Sequence, residues 1–411
     1  MARGVAASAA VPLALPRVAP AGLRLARGAV RRTASAAGEP TAGIVGPLLA
    51  GGGPLGCVLR RATARGRSGA RRGAGGAAAA TAATRVLLVD PLSSSLRQRL
   101  AVAGCAVEER APAESVEEAL ARARPEVVII RSSLLREEQL QGEGASGIQL
   151  VMRAGAGVDN IAVGALLRRG AVVANAAGAN AVAVAELTMA HLLNLDRRLS
   201  DQVASLRQGQ WRRLEFAPVA RGLCGNILAV LGPGHIGREV VKRALAFGMD
   251  VRCWGRASGR SQAEKLGATW CDSPADAVRG AYAMTVHLPL SAETEGLVGK
   301  ALFELLDPGG LVVNMSRGGV VDEAALLEAV RERGLRAGLD VFDLEPAADD
   351  REFRDGAIMS CKGIFGSHHT GARTAQAALA VEDAVLRAVE AHLSGAPVPG
   401  AVRPSAAEAV R

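Results

Sequence analysis

Leu231-Gly232-Pro233-Gly234-His235-Ile236-Gly237 follows the short apolar run Ile227-Leu228-Ala229-Val230. That run has the length and flanks of a buried parallel strand. Beyond it, Ile236, Val240, Val241, Ala244 and Leu245 recur at helical spacing, so the segment reads as strand, tight turn, helix. Gly232, Gly234 and Gly237 have the G-x-G-x-x-G spacing that a dinucleotide pyrophosphate requires. The first glycine permits the turn, the second lets the backbone approach the phosphates, and the third lets helix and strand pack closely. His235 and Ile236 open the helix, whose N-terminus turns unpaired N–H groups and a partial positive charge toward an anion. In a chain with 49 glycines a triplet alone means little. Its position at a strand-to-helix turn is what points to a nucleotide.

The pattern extends in both directions. Upstream, strands are expected at 85–90, 126–130, 148–152 and 171–174, and a long helix at 182–199 leads toward the glycine turn. Downstream, strands are expected at 249–254, 283–287, 310–314 and 337–341, and a last helix at about 374–394. Strands alternating with helices imply parallel, doubly wound sheets, whose ligands gather at the carboxyl ends of the strands. The fold class is therefore α/β with two such sheets, the second inserted into the first if the last helix returns.

The net charge of +9 is unevenly distributed. Residues 1–84 hold 12 Arg, no Lys and a single acid, Glu39, whereas the remaining 37 basic and 39 acidic residues nearly cancel. The folded part thus gives no reason to expect nucleic acid. A basic, acid-poor, Ala- and Gly-rich N-terminus resembles an organelle transit peptide, with a plastid favoured over a mitochondrion. A disordered tail in a cytoplasmic protein is the alternative. Residues 4–16 are apolar enough to be a secretory h-region, so a two-part leader is open as well. The uncharged run 43–59 is broken by Gly51-Gly52-Gly53-Pro54, which argues against a membrane span. Six cysteines without a C-x-x-C pair suggest reduced thiols and no metal site.

Five motifs then occur in a telling order: 153–160 (Arg-Ala-Gly-Ala-Gly-Val-Asp-Asn), 231–237, 314–323 (Asn-Met-Ser-Arg-Gly-Gly-Val-Val-Asp-Glu), 339–342 with Glu345-Pro346, and His369. In this order they resemble the D-2-hydroxyacid dehydrogenases, and the phosphoglycerate dehydrogenase branch most. The resemblance covers about 85–400. It implies a flavodoxin-like substrate-binding domain at 85–177 plus 367–400, and an inserted NAD(P)-binding Rossmann domain at 178–366. It also implies a homodimer and a small 2-hydroxy or 2-oxo acid as substrate.

Hydride transfer to such an acid needs its carboxylate held, its oxygen protonated or deprotonated, and its carbonyl polarised. By resemblance, Arg317 holds the carboxylate and polarises the 2-oxo group, a task suited to its fixed fork of donors. His369 is the acid/base and Glu345 the carboxylate that orients its ring. His368, where the family usually has proline, is a rival for that role. Asp340 receives the nicotinamide carboxamide; without the resemblance it reads as a strand-end cap. The turn Ala154-Gly155-Ala156-Gly157 offers N–H groups to the substrate carboxylate. Arg131, followed by Ser132, matches the arginine that binds a substrate phosphate, and otherwise reads as a generic exposed charge.

One departure concerns the coenzyme. The acid expected about 20 residues beyond the glycines, for the ribose 2′-hydroxyl of NAD, is Gly255, followed by Arg256 with Arg260 nearby. Asp250 lies at the wrong end of its strand to substitute. Without that carboxylate a 2′-phosphate meets no repulsion and Arg256 is available to pair with it, so NADP(H) is expected to serve at least as well as NAD(H). Oxidation of 3-phosphoglycerate, at the entry to serine synthesis, is the leading expectation. An NADPH-dependent glyoxylate/hydroxypyruvate reductase is the alternative, and an NAD(H)-sensing scaffold without catalysis a remote third.

Overall fold

The computed structural model describes residues 83–217, 220–346 and 350–402; the Arg-rich segment read as a leader lies outside them, apart from its last two residues. The first sheet contains β1 (Thr84–Leu88), β2 (Cys105–Glu109), β3 (Val127–Ile130), β4 (Leu150–Arg153) and β5 (Val172–Asn175), all parallel, in the order β2-β1-β3-β4-β5. β3 is Val-Val-Ile-Ile and wholly buried, as a strand covered on both faces must be. The register sets Ile130 beside Arg153 and Arg153 beside Asn175. Three strand ends, with the loops that follow them, therefore open side by side.

The second sheet contains β6 (Ile227–Leu231), β7 (Asp250–Trp254), β8 (Thr269–Trp270), β9 (Ala283–Val286), β10 (Leu311–Asn314), β11 (Arg336–Leu339) and β12 (Ile364–Gly366). Their order is β12-β11-β10-β9-β6-β7-β8. The winding reverses at β6, between β9 and β7, which is where a doubly wound sheet leaves a crevice. Alternate residues of β6 feed opposite cores: Leu228 and Val230 pack on one face, Ala229 and Leu231 on the other.

The chain passes from the first sheet to the second through 176–180, and back through 367–374. The helix Ala181–Arg197 packs on the helix His235–Ala246 and on β10 and β11. The last helix, Ala375–Leu393, is capped by the Thr374 side chain and returns to pack on β4 and on the helix Ser94–Val102. Val385, Ala388 and Val389 of that helix are fully buried there. Beyond it, Gly400 and Val402 hydrogen-bond Asn175 and Val173 along the free edge of β5. Among the described residues no helix is long and apolar enough to cross a membrane.

Five elements depart from the sequence reading. β2, β8 and β12 were not expected; they are edge strands of five, two and three residues, too short or too polar to show an apolar run. The helix Val116–Ala123, held by a Ser115–Glu118 capping box, was also missed. The helix expected at 182–199 ends at Arg197, because Arg198 takes a left-handed φ of 53°, and the chain restarts as Leu199–Arg207.

Helix and strand meet most closely at the glycine turn. A Cβ on Gly237 would lie 2.4 Å from the carbonyl oxygen of Gly232. Ala is better than Gly in a helix by about 1 kcal/mol, whereas overpacking costs about 1–3 kcal/mol. Gly237→Ala is therefore expected to be net destabilising and to weaken coenzyme binding, as read by thermal denaturation and a coenzyme titration; a rise in Tm with unchanged affinity contradicts this.

Candidate active site

The carboxyl ends of both sheets face a cleft of about 1230 Å³. On the first sheet, Asp90, two residues beyond β1, is buried and accepts hydrogen bonds from the backbone N–H of Arg131 (2.6 Å) and Ser132 (3.0 Å) and from the Ser133 hydroxyl (2.6 Å). Burial alone would raise its pKa; the hydrogen bonds outweigh burial and hold it below the usual carboxylate range. Asp90 thus sets the backbone from which the Arg131 side chain, making no hydrogen bond among the described residues, lines the cleft.

Arg153, at the end of β4, is a site residue that the sequence reading passed over. Its guanidinium lies under the glycine turn, so that a Cβ on Gly155 would come within 1.7 Å of Nη1. Burial, then the charges of Arg317 and Arg131, lower its pKa, so three guanidinium groups act on one another across the cleft. Its buried Nε has no partner, and neither do Asn180 Oδ1 and Glu382 Oε2, on two other residues of the cleft wall.

The turn 154–157 differs from expectation in one respect. The N–H groups of Ala154 and Gly155 are spent on Ile130 O and Arg153 O, because the turn closes tightly on its own strand end. Those of Ala156 and Gly157 have no acceptor among the described residues and remain for an anion.

Arg317 follows β10. Asn314 shapes its turn by accepting from the Ser316 N–H (3.1 Å) and hydroxyl (2.7 Å) and donating to Arg317 O. Gly318 is needed because a Cβ would meet Phe342 O at 2.1 Å. The Arg317 side chain crosses the cleft, with Nε donating to Asp159 Oδ2 at 3.1 Å and Nη2 lying over Gly157. A mostly exposed pair of this kind is worth about 0–1 kcal/mol, so Arg317 is poised rather than locked.

Glu345 Oε1 is 2.5 Å from His369 Nδ1, which leaves Nε2 as the free ring nitrogen. The His368 side chain, the rival, makes no hydrogen bond among the described residues. His369 has a φ of 48°, which costs a non-glycine residue about 1–2 kcal/mol. Asp340 holds it there. Its carbonyl accepts the His369 N–H (2.9 Å), and its carboxylate accepts from the Ser367 hydroxyl (2.6 Å), Thr370 N–H (2.9 Å) and Gly371 N–H (2.8 Å). A carboxylate has about four acceptor positions, so the carboxamide role expected of Asp340 has one left. Its first structural task is to clamp the turn that carries His369.

The remaining coenzyme candidates follow the carboxyl ends of β6 and β7, in the same second sheet. Gly232 has a φ of 94°, and a Cβ there would strike His287 O at 2.7 Å. At Gly234 a Cβ would meet nothing within 4 Å, so this glycine faces open space. No side chain caps the helix beginning at His235. Closed packing at the first and third glycines, an open second one and a free helix N-terminus form a cradle that fits a pyrophosphate. His235 is exposed and touches Gly178 of the crossover loop; Ile236 reaches the cleft wall. A Cβ on Gly255 would press on Pro233 Cδ at 2.9 Å, while Arg256 is exposed beside it. Arg260 is paired with Glu264. The cleft therefore brings together Arg131, Ser132, residues 154–157, Ile236, Arg317, Asp340, Glu345 and His369. Gly232, Gly234, His235, Gly237, Gly255 and Arg256 line the cradle instead.

Glu323 links the Arg317 turn to the loop that carries Glu345. It opens the helix Glu323–Arg333 in a buried position and accepts from Asp343 N (3.0 Å), while Asp343 accepts from Gly319 N. Burial, with Asp343 and Asp355 nearby, pushes its pKa up to about 7 against the hydrogen bond from Asp343. Between pH 4.5 and 7 the folded protein then binds more protons than the unfolded chain, so stability falls as pH rises and levels off above 7. At 1.36 kcal/mol per unit the loss is about 3 kcal/mol. Glu323→Gln is expected to remove it, flattening the stability difference between pH 5 and pH 8 in denaturant titrations; an unchanged difference contradicts this assignment.

Comparison with known proteins agrees with this geometry. Residues 189–371 match the family model described as the NAD-binding domain of D-isomer-specific 2-hydroxyacid dehydrogenases. The chain is 34% identical over 312 residues to D-3-phosphoglycerate dehydrogenase of Methanocaldococcus jannaschii, covering 76% of this chain and 58% of that protein. It is 32% identical over 319 residues to the enzyme of the same name from Archaeoglobus fulgidus, covering 77% and 59%. The chain thus spans under two thirds of the length of these relatives. In fold it is similar to the holo D-mandelate dehydrogenase of Rhodotorula graminis, with a TM-score of 0.70 at 24% identity, covering 79% of this chain and 99% of that one. With its NAD-binding lobe and its cleft between two parallel sheets, the chain belongs to the D-isomer-specific 2-hydroxyacid dehydrogenase family.

Proposed function

We propose that the protein is an oxidoreductase that moves a hydride between a D-2-hydroxy acid and a nicotinamide dinucleotide, with 3-phosphoglycerate and 3-phosphohydroxypyruvate as the acid pair. The observation that carries this reading is the convergence of Arg131, Arg153 and Arg317 on the cleft that also holds the Glu345–His369 pair. The Arg fork matches both carboxylate and phosphate, so three guanidinium groups on one cleft suit an acid that carries two anionic groups. The name borne by the relatives supports the same choice.

The bound dinucleotide supplies or takes the hydride. Arg317, with the N–H groups of Ala156 and Gly157, holds the carboxylate and draws charge onto the 2-oxygen. His369 Nε2 removes the hydroxyl proton in oxidation and returns it in reduction. Glu345 holds the Nδ1 side of the ring, so that only Nε2 faces the reacting oxygen. Arg131 and Arg153 take the distal phosphate.

NADP(H) is proposed to serve as well as NAD(H), because Gly255 offers no carboxylate and Arg256 stands free beside it. That observation also favours the second reading, an NADPH-dependent glyoxylate/hydroxypyruvate reductase. Homodimerisation is proposed across the arm 199–216, where Leu199, Val203, Leu206, Trp211 and Leu214 are exposed and the last two are 80% and 86% accessible. The acid-poor composition of 1–84 supports an organelle address, a plastid before a mitochondrion, for this segment.

The test is a kinetic matrix of 3-phosphohydroxypyruvate, hydroxypyruvate and glyoxylate with both coenzymes. Arg131→Ala is expected to lower kcat/KM for the phosphorylated acid by about 10–150-fold, the equivalent of a charged hydrogen bond of about 1.5–3 kcal/mol, and to spare the other two. Equal losses on all three, or a wild-type preference for glyoxylate, contradict the phosphorylated substrate. Arg256→Asp is expected to shift preference toward NAD(H); a wild-type NAD(H) preference that it leaves unchanged contradicts the coenzyme proposal.

A further inference from the structure

His191 belongs to none of the motifs and does not line the cleft, yet it is tied by hydrogen bonds to the residue that clamps His369. It lies on the helix Ala181–Arg197 and is 7% exposed. Its ring rests on the backbone of β11 at Gly338, where a Cβ would come within 2.7 Å of Nδ1. The glycine in that strand makes room for the ring, and the ring points its far nitrogen along the strand toward the cleft end. There Nε2 lies 3.0 Å from Ser367 Oγ, and Ser367 Oγ lies 2.6 Å from Asp340 Oδ1.

The direction of these bonds follows from what each group can give. Asp340 accepts from the Thr370 and Gly371 N–H groups, so its carboxylate serves as acceptor throughout. The single hydroxyl proton of Ser367 is therefore spent on Asp340, and its oxygen must accept from His191. Burial, only partly offset by the charge of Asp340, lowers the His191 pKa and favours the neutral ring. A neutral ring has one proton, and this chain needs it on Nε2.

We infer that His191 is a positioning residue for the acid–base step: its Nε2–H fixes the Ser367 hydroxyl on Asp340, and Asp340 so held fixes the left-handed turn that carries His369. His191 touches neither substrate nor coenzyme and acts only through Ser367 and Asp340. A leucine of similar size fills the same space against Gly338 but leaves the Ser367 oxygen without its donor. The hydroxyl is then free to rotate, and Asp340 loses one of its three anchors. The inference rests on the reading of the cleft as an oxidoreductase site.

The test uses the full chain with His191→Leu, His191→Gln and Ser367→Ala, the glutamine placing an amide N–H near the position of Nε2. His191→Leu is expected to lower kcat by about 10–100-fold, with KM for the 2-oxo acid nearly unchanged, and to shift the pH profile of kcat. His191→Gln is expected to restore most of the loss. Ser367→Ala is expected to match His191→Leu, and the double variant to be no worse than either, because both break one relay. Wild-type kcat and pH profile in His191→Leu overturn the proposal. So does equal impairment of the leucine and glutamine variants in step with their loss of thermal stability, which is a packing effect. Proton–nitrogen NMR of histidine-labelled protein reads the relay without turnover: a proton on Nε2 of His191, shifted by Ser367→Ala, supports it, and a proton on Nδ1 overturns it. A wild-type protein that turns over no 2-oxo acid contradicts the oxidoreductase reading alone, and the NMR result still decides the relay.

Discussion

The Asp340 carboxylate, buried at the end of β11, is the interaction on which fold and site both depend. Ser367, Thr370 and Gly371 all donate to it, and they lie where the chain leaves the second sheet to rejoin the first. One side chain therefore secures the return crossing between lobes and the conformation of His369. The strain of the left-handed His369 costs about 1–2 kcal/mol, and three hydrogen bonds to a charged acceptor, at about 1.5–3 kcal/mol each, exceed it. The geometry of the His369 turn is thus a by-product of closing the fold.

The substrate side is organised by charge instead. Arg153 is buried and also feels the charges of Arg317 and Arg131, so holding it charged in this place opposes folding. Asp90 and Asp159 offset part of that cost, but Asp90 is occupied with the backbone of 131–133 and Asp159 is mostly exposed. In the proposed reading, a ligand with two negative groups would relieve the repulsion that these two acids leave. The loops that face each other here also communicate within the second sheet, because Glu323 and Asp343 join the Arg317 turn to the Glu345 loop.

Much of this was legible in the residues. The glycine turn could be read because its three constraints, on φ, approach and packing, each demand glycine and occur at fixed spacing. Strand ends drew attention to Arg131 and Arg317, whose roles came from the family resemblance, and the separation of both sheets followed from alternation. Arg153 was quoted within its motif but not recognised, since an arginine ending a strand reads as a surface charge. Its place under the turn shows only in three dimensions, where a Cβ on Gly155 would collide with its guanidinium. His191 carries no signal in sequence, being one polar residue on an apolar helix face, and its partner Ser367 is 176 residues away. Asp340 was seen as a coenzyme contact and not as a clamp for the same reason. The N–H groups of Ala154 and Gly155 were expected to be free, and short-range closure of the turn consumes them.

The central claim is that His369 Nε2 exchanges a proton with the 2-oxygen of an acid held by Arg317. Its most direct test is the pH dependence of oxamate binding to the coenzyme-saturated protein, since oxamate bears the same carboxylate and carbonyl and does not react. If His369 must carry the proton, oxamate binding takes up one proton and affinity falls by up to about tenfold per pH unit as the solution is made more alkaline, and His369→Asn abolishes that slope. Affinity independent of pH in the wild type, or the same slope in His369→Asn, contradicts the account.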